Sequence, residues 1–100
     1  MIYHKLVRDR ILEIIRSKGR EPAFHLADDL EYHQKLNEKL REEVEEYLAS
    51  ENPEEIADIL EVIDALMESN GWTHEQIQEI KTKKKDERGG FAQRIILDES

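Results

Sequence analysis

The sequence contains no cysteine, and only two prolines and four glycines. Without cysteine the chain can form neither a disulfide nor a thiolate zinc site, and chains without disulfides are more typical of intracellular than of secreted proteins. We therefore expect a cytoplasmic protein. Both prolines, Pro22 and Pro53, fall at boundaries between predicted elements.

The chain also lacks any long apolar run. No run approaches the roughly 20 residues that a membrane-spanning helix requires, and the first ten residues, MIYHKLVRDR, are too charged for a secretory signal peptide. No internal repeat or low-complexity linker divides the 100 residues. We expect a single domain over residues 1–100, with no membrane as a partner.

The net charge of -9 is unevenly distributed along the chain. Residues 1–20 hold six basic and two acidic residues, and so do residues 81–94, whereas residues 21–80 hold three basic and eighteen acidic residues. An acidic surface repels phosphate backbones, so a nucleic-acid polymer is not expected as a partner. One bound anion together with its metal ion would match basic ends around an acidic centre.

Helical periodicity and capping signals predict an all-α protein, a four-helix bundle with helices near residues 6–18, 29–49, 53–69 and 73–88. Asp28, Asn52 and Thr73 are suited to cap the second, third and fourth helices. The final apolar residues, RIIL at 94–97, are expected to form either a short edge strand or a packed tail.

The predicted third helix is apolar nearly all round, which is typical of a buried helix. Asp58, Glu61 and Asp64 nevertheless interrupt it at intervals of three residues. A buried carboxylate is costly unless a cation, a hydrogen-bond network or a proton compensates its charge. The third helix is therefore expected to have partners for its acids.

Four carboxylates are predicted to converge between the second and third helices. Glu43 and Glu46 are three residues apart, as are Glu55 and Asp58, so each pair projects from one side of its helix. The helices should run antiparallel with axes about 8–10 Å apart, and Glu46 then faces Glu55 while Glu43 faces Asp58. Such a set suits Mg²⁺, which takes oxygen ligands and leaves room for a substrate's phosphates.

The same acids could also form a solvated face. Glutamate-rich helices are common, and Glu55 stands where a capping box alone would explain it. Glu42 and Glu45 point about 100° away from the paired carboxylates, so we assign both to solvent. Spacing alone leaves the metal site and the solvated face open.

Both ends of the chain offer basic side chains that could contact phosphate. Lys5 and Arg8 lie in the first segment, and Arg88 and Arg94 flank the turn Gly-Gly-Phe. The two arginines beside the turn are the stronger candidates there, because guanidinium groups bind phosphate with two parallel hydrogen bonds. Most of the neighbouring lysines are expected to be solvent-exposed helix residues.

The sequence of the acidic helices resembles the motifs of a known enzyme superfamily. The segment REEVEE, followed by EEIADILEVIDAL, resembles the EExxE and ExxD motifs of the all-α NTP pyrophosphatase superfamily, which includes MazG, dimeric dUTPases and phosphoribosyl-ATP pyrophosphohydrolase. The flanking YHKLVRDRI and ERGGFAQRI look like the ends of a small MazG-like subgroup. The four blocks occur in order and span most of the chain.

The resemblance implies a Mg²⁺-dependent hydrolase, with Mn²⁺ as an alternative cofactor, that converts a nucleoside triphosphate to the monophosphate and pyrophosphate, as house-cleaning enzymes do. The metal ligands and catalytic residues of the family fall on Glu43, Glu46, Glu55 and Asp58, with Glu61 or Asp64 as a further ligand or an outer contact. The implied phosphate contacts are Lys5, Arg8, Arg88 and Arg94. Family members form dimers or tetramers, so a homodimer or homotetramer is expected.

Two other functions stay open at this point. One is phosphoribosyl-ATP hydrolysis in histidine biosynthesis, and the other is a non-catalytic helical module that binds a nucleotide or a protein. The chain also departs from the superfamily in one respect, because only eight residues separate Glu46 from Glu55. That short connection leaves open whether Glu55 caps its helix, binds the metal, or does both.

Overall fold

A computed structural model describes residues 4–100, and this part of the chain contains four α-helices and no strand. The helices are α1 (Ile11–Ser17), α2 (Asp29–Ser50), α3 (Pro53–Asn70) and α4 (His74–Arg88). The all-α, four-helix class predicted from the sequence is therefore confirmed. No helix of the described residues combines the length and the apolar character needed to cross a membrane.

Side-chain caps set the starts of the three longer helices. The Asp28 carboxylate accepts a hydrogen bond from the Glu31 backbone N–H at 2.8 Å, and Thr73 and Gln76 form a complete capping box at the start of α4. At α3 the Asn52 side chain caps the helix and Pro53 follows as the first residue. Each cap satisfies a backbone donor that the helix itself leaves unpaired, and the predicted boundaries of these helices hold within one residue.

The predicted start of the first helix is wrong. We expected it near residue 6, but α1 begins at Ile11 and is only seven residues long. The preceding residues instead run along the α2–α3 pair, where Lys5 and Arg8 form ion pairs with acids of those helices. Helical spacing over a few residues is a weak signal, and the segment that holds Leu6 and Val7 contacts the hairpin without forming a helix.

The prediction for the C-terminal segment is also wrong. Residues Ile95, Ile96 and Leu97 form neither a strand nor a packed tail, and their exposed fractions are 78%, 81% and 75%. A strand needs a neighbour to pair with, and residues 4–100 offer none. Gly89, with φ of 79°, ends α4 just before this segment.

Helices α2 and α3 form a hairpin that contains the core. Only Glu51 and Asn52 connect them, and Glu51 adopts the left-handed conformation with φ of 52° while its N–H donates to the Tyr47 carbonyl. The apolar residues buried in the described part of the chain all belong to this hairpin: Leu36, Val62 and Met67. The α2–α3 hairpin is thus the framework that positions the acidic residues.

The third helix is less buried than we predicted. Ile56 and Leu60 are 42% and 54% exposed, because among the four described helices only α2 packs extensively on α3. Trp72 is also half exposed and Phe91 almost completely so. The molecule is elongated, with extents of 57 × 31 × 23 Å, and much of its apolar surface is left uncovered.

The small core makes Leu36 essential for stability. Leu36→Ala removes a side chain that is 1% exposed, and such changes typically cost about 2–5 kcal/mol. We expect urea denaturation to show a loss of that size, whereas the matched change Leu26→Ala, at a side chain that is 88% exposed, should stay within about 0.5 kcal/mol. Equal effects of the two changes would contradict the described core.

Candidate metal site

The hairpin brings five carboxylates together on α2 and α3. Glu43, Glu55 and Asp58 each offer one oxygen such that these atoms lie within 4.8 Å of one another, and Glu42, Glu43 and Glu46 do the same. Glu43 belongs to both groups and joins them. We refer to these five residues as the carboxylate cluster: Glu42, Glu43, Glu46, Glu55 and Asp58.

Glu43 is the buried centre of the cluster. Its exposed fraction is 6%, and its Oε1 lies 3.1 Å from the Lys39 Nζ. Its Oε2 is buried without a hydrogen-bond partner among the described residues, and so is the Oε2 of Glu55. A buried, unpaired anionic oxygen costs free energy, typically more than a neutral polar atom would. These two oxygens are therefore suited to a ligand that accepts electron pairs.

Glu55 takes part in both the helix cap and the cluster, through different atoms. Its backbone N–H donates to the Asn52 Oδ1 at 3.3 Å, but its side chain makes no return bond to Asn52 in the described structure. The carboxylate instead lies beside those of Glu43 and Asp58. The short connection between α2 and α3 thus does not divert the Glu55 side chain into capping.

Three basic side chains lie at the rim of the cluster and form ion pairs with its carboxylates. The Lys5 Nζ lies 3.0 Å from the Glu42 Oε1, and the Arg8 guanidinium lies 2.7 Å from the Asp58 Oδ1. The sequence had indicated both residues as phosphate contacts, and the structure brings both to the cluster. Lys39 was missed, although its spacing of three and four residues before Glu42 and Glu43 is the signal that could have identified it.

The assignment of Glu42 to solvent is wrong. Its side chain is only 30% exposed, and both Lys5 and Lys39 contact it. On an isolated helix Glu42 would point to solvent, but the N-terminal segment crosses the hairpin and brings Lys5 to it. Glu45, in contrast, is exposed as expected.

The cluster shifts two carboxyl pKa values in opposite directions. The hydrogen bond from Lys5, together with the charges of Lys39 and Lys5, lowers the pKa of Glu42. The pKa of Glu46 is raised, chiefly by hydrogen bonding with Glu43. Smaller contributions come from desolvation and from the negative charges of Glu43, Glu55 and Glu42. Two carboxylates this close repel each other when both are ionised, and protonation of Glu46 relieves that repulsion.

Four predicted site residues are not brought into the cluster. Glu61 is exposed, and Asp64 lies 3.8 Å from the His74 Nε2 at the start of α4. Arg88 and Arg94 are exposed, and their side chains make no hydrogen bond or ion pair with any described residue. They belong to α4 and the tail, which do not pack extensively on the hairpin.

The donor set fits a hard divalent cation such as Mg²⁺. All the donors are carboxylate oxygens, which Mg²⁺ and Mn²⁺ prefer, and two of them are buried without a partner in the part of the chain that the structure describes. With every group ionised, the three basic residues offset three of the five negative charges of the cluster. The charge that remains is one that a single divalent cation would neutralise.

The comparisons with known proteins leave the family open. No protein-family profile and no solved structure matches the chain. A protein of Mycolicibacterium smegmatis, described as uncharacterized, is 49% identical over 47 residues. That stretch covers 47% of this chain and 48% of the relative, so the chain spans about half the length of the protein that it matches.

The raised pKa of Glu46 predicts a pH-dependent gain from Glu46→Gln. In the folded state the Glu46 carboxyl keeps its proton at pH values above its ordinary pKa of 4.5. The stability that Glu46 contributes therefore falls as the pH rises from 4.5 through the raised pKa. At pH 7, with a chelator present, Glu46→Gln should increase the free energy of unfolding by up to about 1 kcal/mol, because it removes like-charge repulsion at a largely exposed position.

Urea denaturation at pH 7 and at pH 4 checks this prediction. The gain should shrink at pH 4, where the carboxyl is largely protonated in both states. Glu45→Gln, at an exposed position on the same helix, is the matched control. A gain of equal size at both pH values would show that the effect is not electrostatic.

Proposed function

We propose that the protein is a Mg²⁺-dependent nucleoside triphosphate pyrophosphohydrolase, with Mn²⁺ as an alternative cofactor. In this reaction a water oxygen bonds to the α-phosphorus while the bond from that phosphorus to the bridging oxygen breaks, which gives the nucleoside monophosphate and pyrophosphate. The proposal joins the likeness to the MazG-like sequence motifs with the geometry of the carboxylate cluster. The absence of cysteine favours a cytoplasmic location for this activity.

The observation that carries the proposal is the pair of unpartnered oxygens on facing helices. Glu43 Oε2 and Glu55 Oε2 are both buried, and no group in residues 4–100 donates to them. Asp58 supplies a third oxygen within 4.8 Å of the ligand atoms of those two residues. A solvated acidic face does not require any of its oxygens to be buried. Their burial favours a cation site, because exclusion of water strengthens the attraction between an ion and its ligands.

Each group of residues has a distinct role in the proposed reaction. Glu43, Glu46, Glu55 and Asp58 would hold the cation, and Glu42 borders the same site. A Mg²⁺ ion held there would neutralise charge on the phosphates and lower the pKa of a bound water. Lys5 and Arg8, which already lie at the rim of the cluster, would contact the phosphates of the substrate.

We also propose that the chain assembles as a homodimer or homotetramer. Large apolar side chains are exposed on both hairpin helices, among them Leu48 and Leu60 at 67% and 54%, and monomers seldom leave extensive apolar patches uncovered. Arg88 and Arg94 could then approach a cluster only through another copy, since they do not reach it in their own chain. Sedimentation equilibrium of the full chain would return the mass of a monomer if this proposal is wrong.

A non-catalytic interaction module is the second candidate, and one observation favours it. Lys5, Arg8 and Lys39 already pair with Glu42, Asp58 and Glu43, so much of the cluster is compensated without a cation. Thermal unfolding separates the two candidates. If the cluster binds metal, the midpoint temperature should rise with Mg²⁺ concentration, and the free energy of unfolding should increase by about 2.7 kcal/mol at one hundred times the dissociation constant. A solvated cluster should show only general screening by salt.

Pyrophosphate release from a panel of nucleotides tests the enzymatic function. The panel should hold the common and non-canonical nucleoside triphosphates and phosphoribosyl-ATP, each with Mg²⁺ or with chelator. Asp58→Asn should lower kcat/KM by about 100-fold or more, because loss even of a residue that only supports a metal ligand costs about 10- to 100-fold. Glu45→Gln is the control, since Glu45 is exposed on α2 outside the cluster.

The outcomes of this assay are distinct. Turnover that requires Mg²⁺ and is lost in Asp58→Asn, but kept in Glu45→Gln, supports the proposal. Turnover of phosphoribosyl-ATP alone would reassign the substrate while keeping the site. If no substrate is hydrolysed above the chelator control, the protein is not this enzyme.

A further inference from the structure

The segment before α1 crosses the hairpin from α2 to α3 and contacts both helices. It runs over residues 4–10, has no regular secondary structure, and is referred to below as the N-terminal strap. Lys5 of the strap pairs with Glu42 on α2, and Arg8 pairs with Asp58 on α3. The Lys35 ammonium on α2 also donates to the His4 carbonyl oxygen at 2.8 Å.

The ion pairs between the strap and the cluster are exposed to water. The side chains of Lys5 and Glu42 are 43% and 30% exposed, and those of Arg8 and Asp58 are 59% and 38% exposed. Exposed ion pairs of this kind contribute little to stability. Lys39 is different, because its side chain is only 19% exposed and it contacts Glu43 one helical turn away on the same helix. The ion pairs of the strap with Glu42 and Asp58 can therefore break without unfolding the hairpin.

Arg8 and a divalent cation would compete for the same carboxylate. The Arg8 guanidinium lies 2.7 Å from one oxygen of Asp58, and Asp58 is also one of the three residues whose oxygens converge with those of Glu43 and Glu55. A cation held there would repel a guanidinium a few ångströms away, since like charges at such distances repel appreciably outside bulk water. In the same way, Lys5 pairs with Glu42 and would compete with a cation held by Glu42, Glu43 and Glu46.

We propose that the N-terminal strap is a built-in counter-ion that divalent cations displace. Without a cation, Lys5 and Arg8 neutralise Glu42 and Asp58. When a cation binds the cluster, the strap releases these carboxylates, and its two basic groups become available for the phosphates that accompany the cation. The inference rests on the proposed cation site, and it adds an inhibitory contact that the protein itself supplies.

The sign of a change in cation affinity tests this mechanism. Isothermal titration of the full-length protein with Mn²⁺ gives the dissociation constant, and Arg8→Gln should lower it by about two- to fivefold, because the competing pair is exposed and of modest strength. Arg10→Gln is the matched control. It removes the same charge from the same segment, but the Arg10 side chain forms no ion pair or capping bond in the described structure.

The possible outcomes separate this inference from the function on which it rests. Tighter Mn²⁺ binding by Arg8→Gln than by Arg10→Gln supports the strap mechanism. Weaker or equal binding overturns it, because Arg8 would then support the bound state or play no part, while the cation site itself would stand. If the wild type binds no Mn²⁺, both the cation site and the strap mechanism fail.

A second measurement follows the strap directly. Because the chain has no cysteine, Asp9→Cys introduces a unique attachment point for a fluorophore in the strap, and Lys18→Cys provides one just after α1. Saturating Mn²⁺ is expected to lower the anisotropy of the label at residue 9, where the strap is released, and to leave the label at residue 18 nearly unchanged. Unchanged anisotropy at residue 9 in a protein that binds Mn²⁺ would overturn the mechanism.

Discussion

Repulsion among the carboxylates at the centre of the hairpin is the constraint on which the rest of the structure depends. The short connection through Glu51 and Asn52 forces α2 and α3 to lie side by side, and their acidic residues then converge on Glu43. The folded chain offsets part of this repulsion with three basic residues, two from the N-terminal strap and one from α2. What the chain leaves uncompensated defines the proposed site.

Stability and the site are closely linked in this molecule because both reside in the same two helices. Leu36, Val62 and Met67 form the core of the hairpin, and Glu43 on the same hairpin is also buried. A cation that neutralises the cluster would therefore stabilise the fold as well as prepare the site. The exposed apolar side chains outside the hairpin indicate that one chain alone buries little of its apolar surface. The proposed assembly would cover part of that surface, and it would also let the basic residues of α4 approach a cluster on another copy.

Local signals predicted α2, α3 and α4 well, because Asp28, Asn52 and Thr73 cap them through side-chain bonds that depend only on nearby residues. The convergence of Glu43 with Asp58 was also predictable, since equal distance from a tight turn brings residues of antiparallel helices to one level. Contacts between distant segments could not be predicted in this way. They account for the partial burial of Glu42, where Lys5 reaches α2. The C-terminal segment, for its part, packs against nothing in residues 4–100.

The central claim is that the cluster binds a divalent cation, and anomalous diffraction tests it most directly. Crystals grown with Mn²⁺ should show an anomalous peak within about 2.0–2.6 Å of carboxylate oxygens of Glu43, Glu55 and Asp58, the range for hard cations and oxygen ligands, and isomorphous crystals of Glu43→Gln should lose it. A wild-type map without a peak at these residues, or with Mn²⁺ bound only elsewhere, would contradict the account.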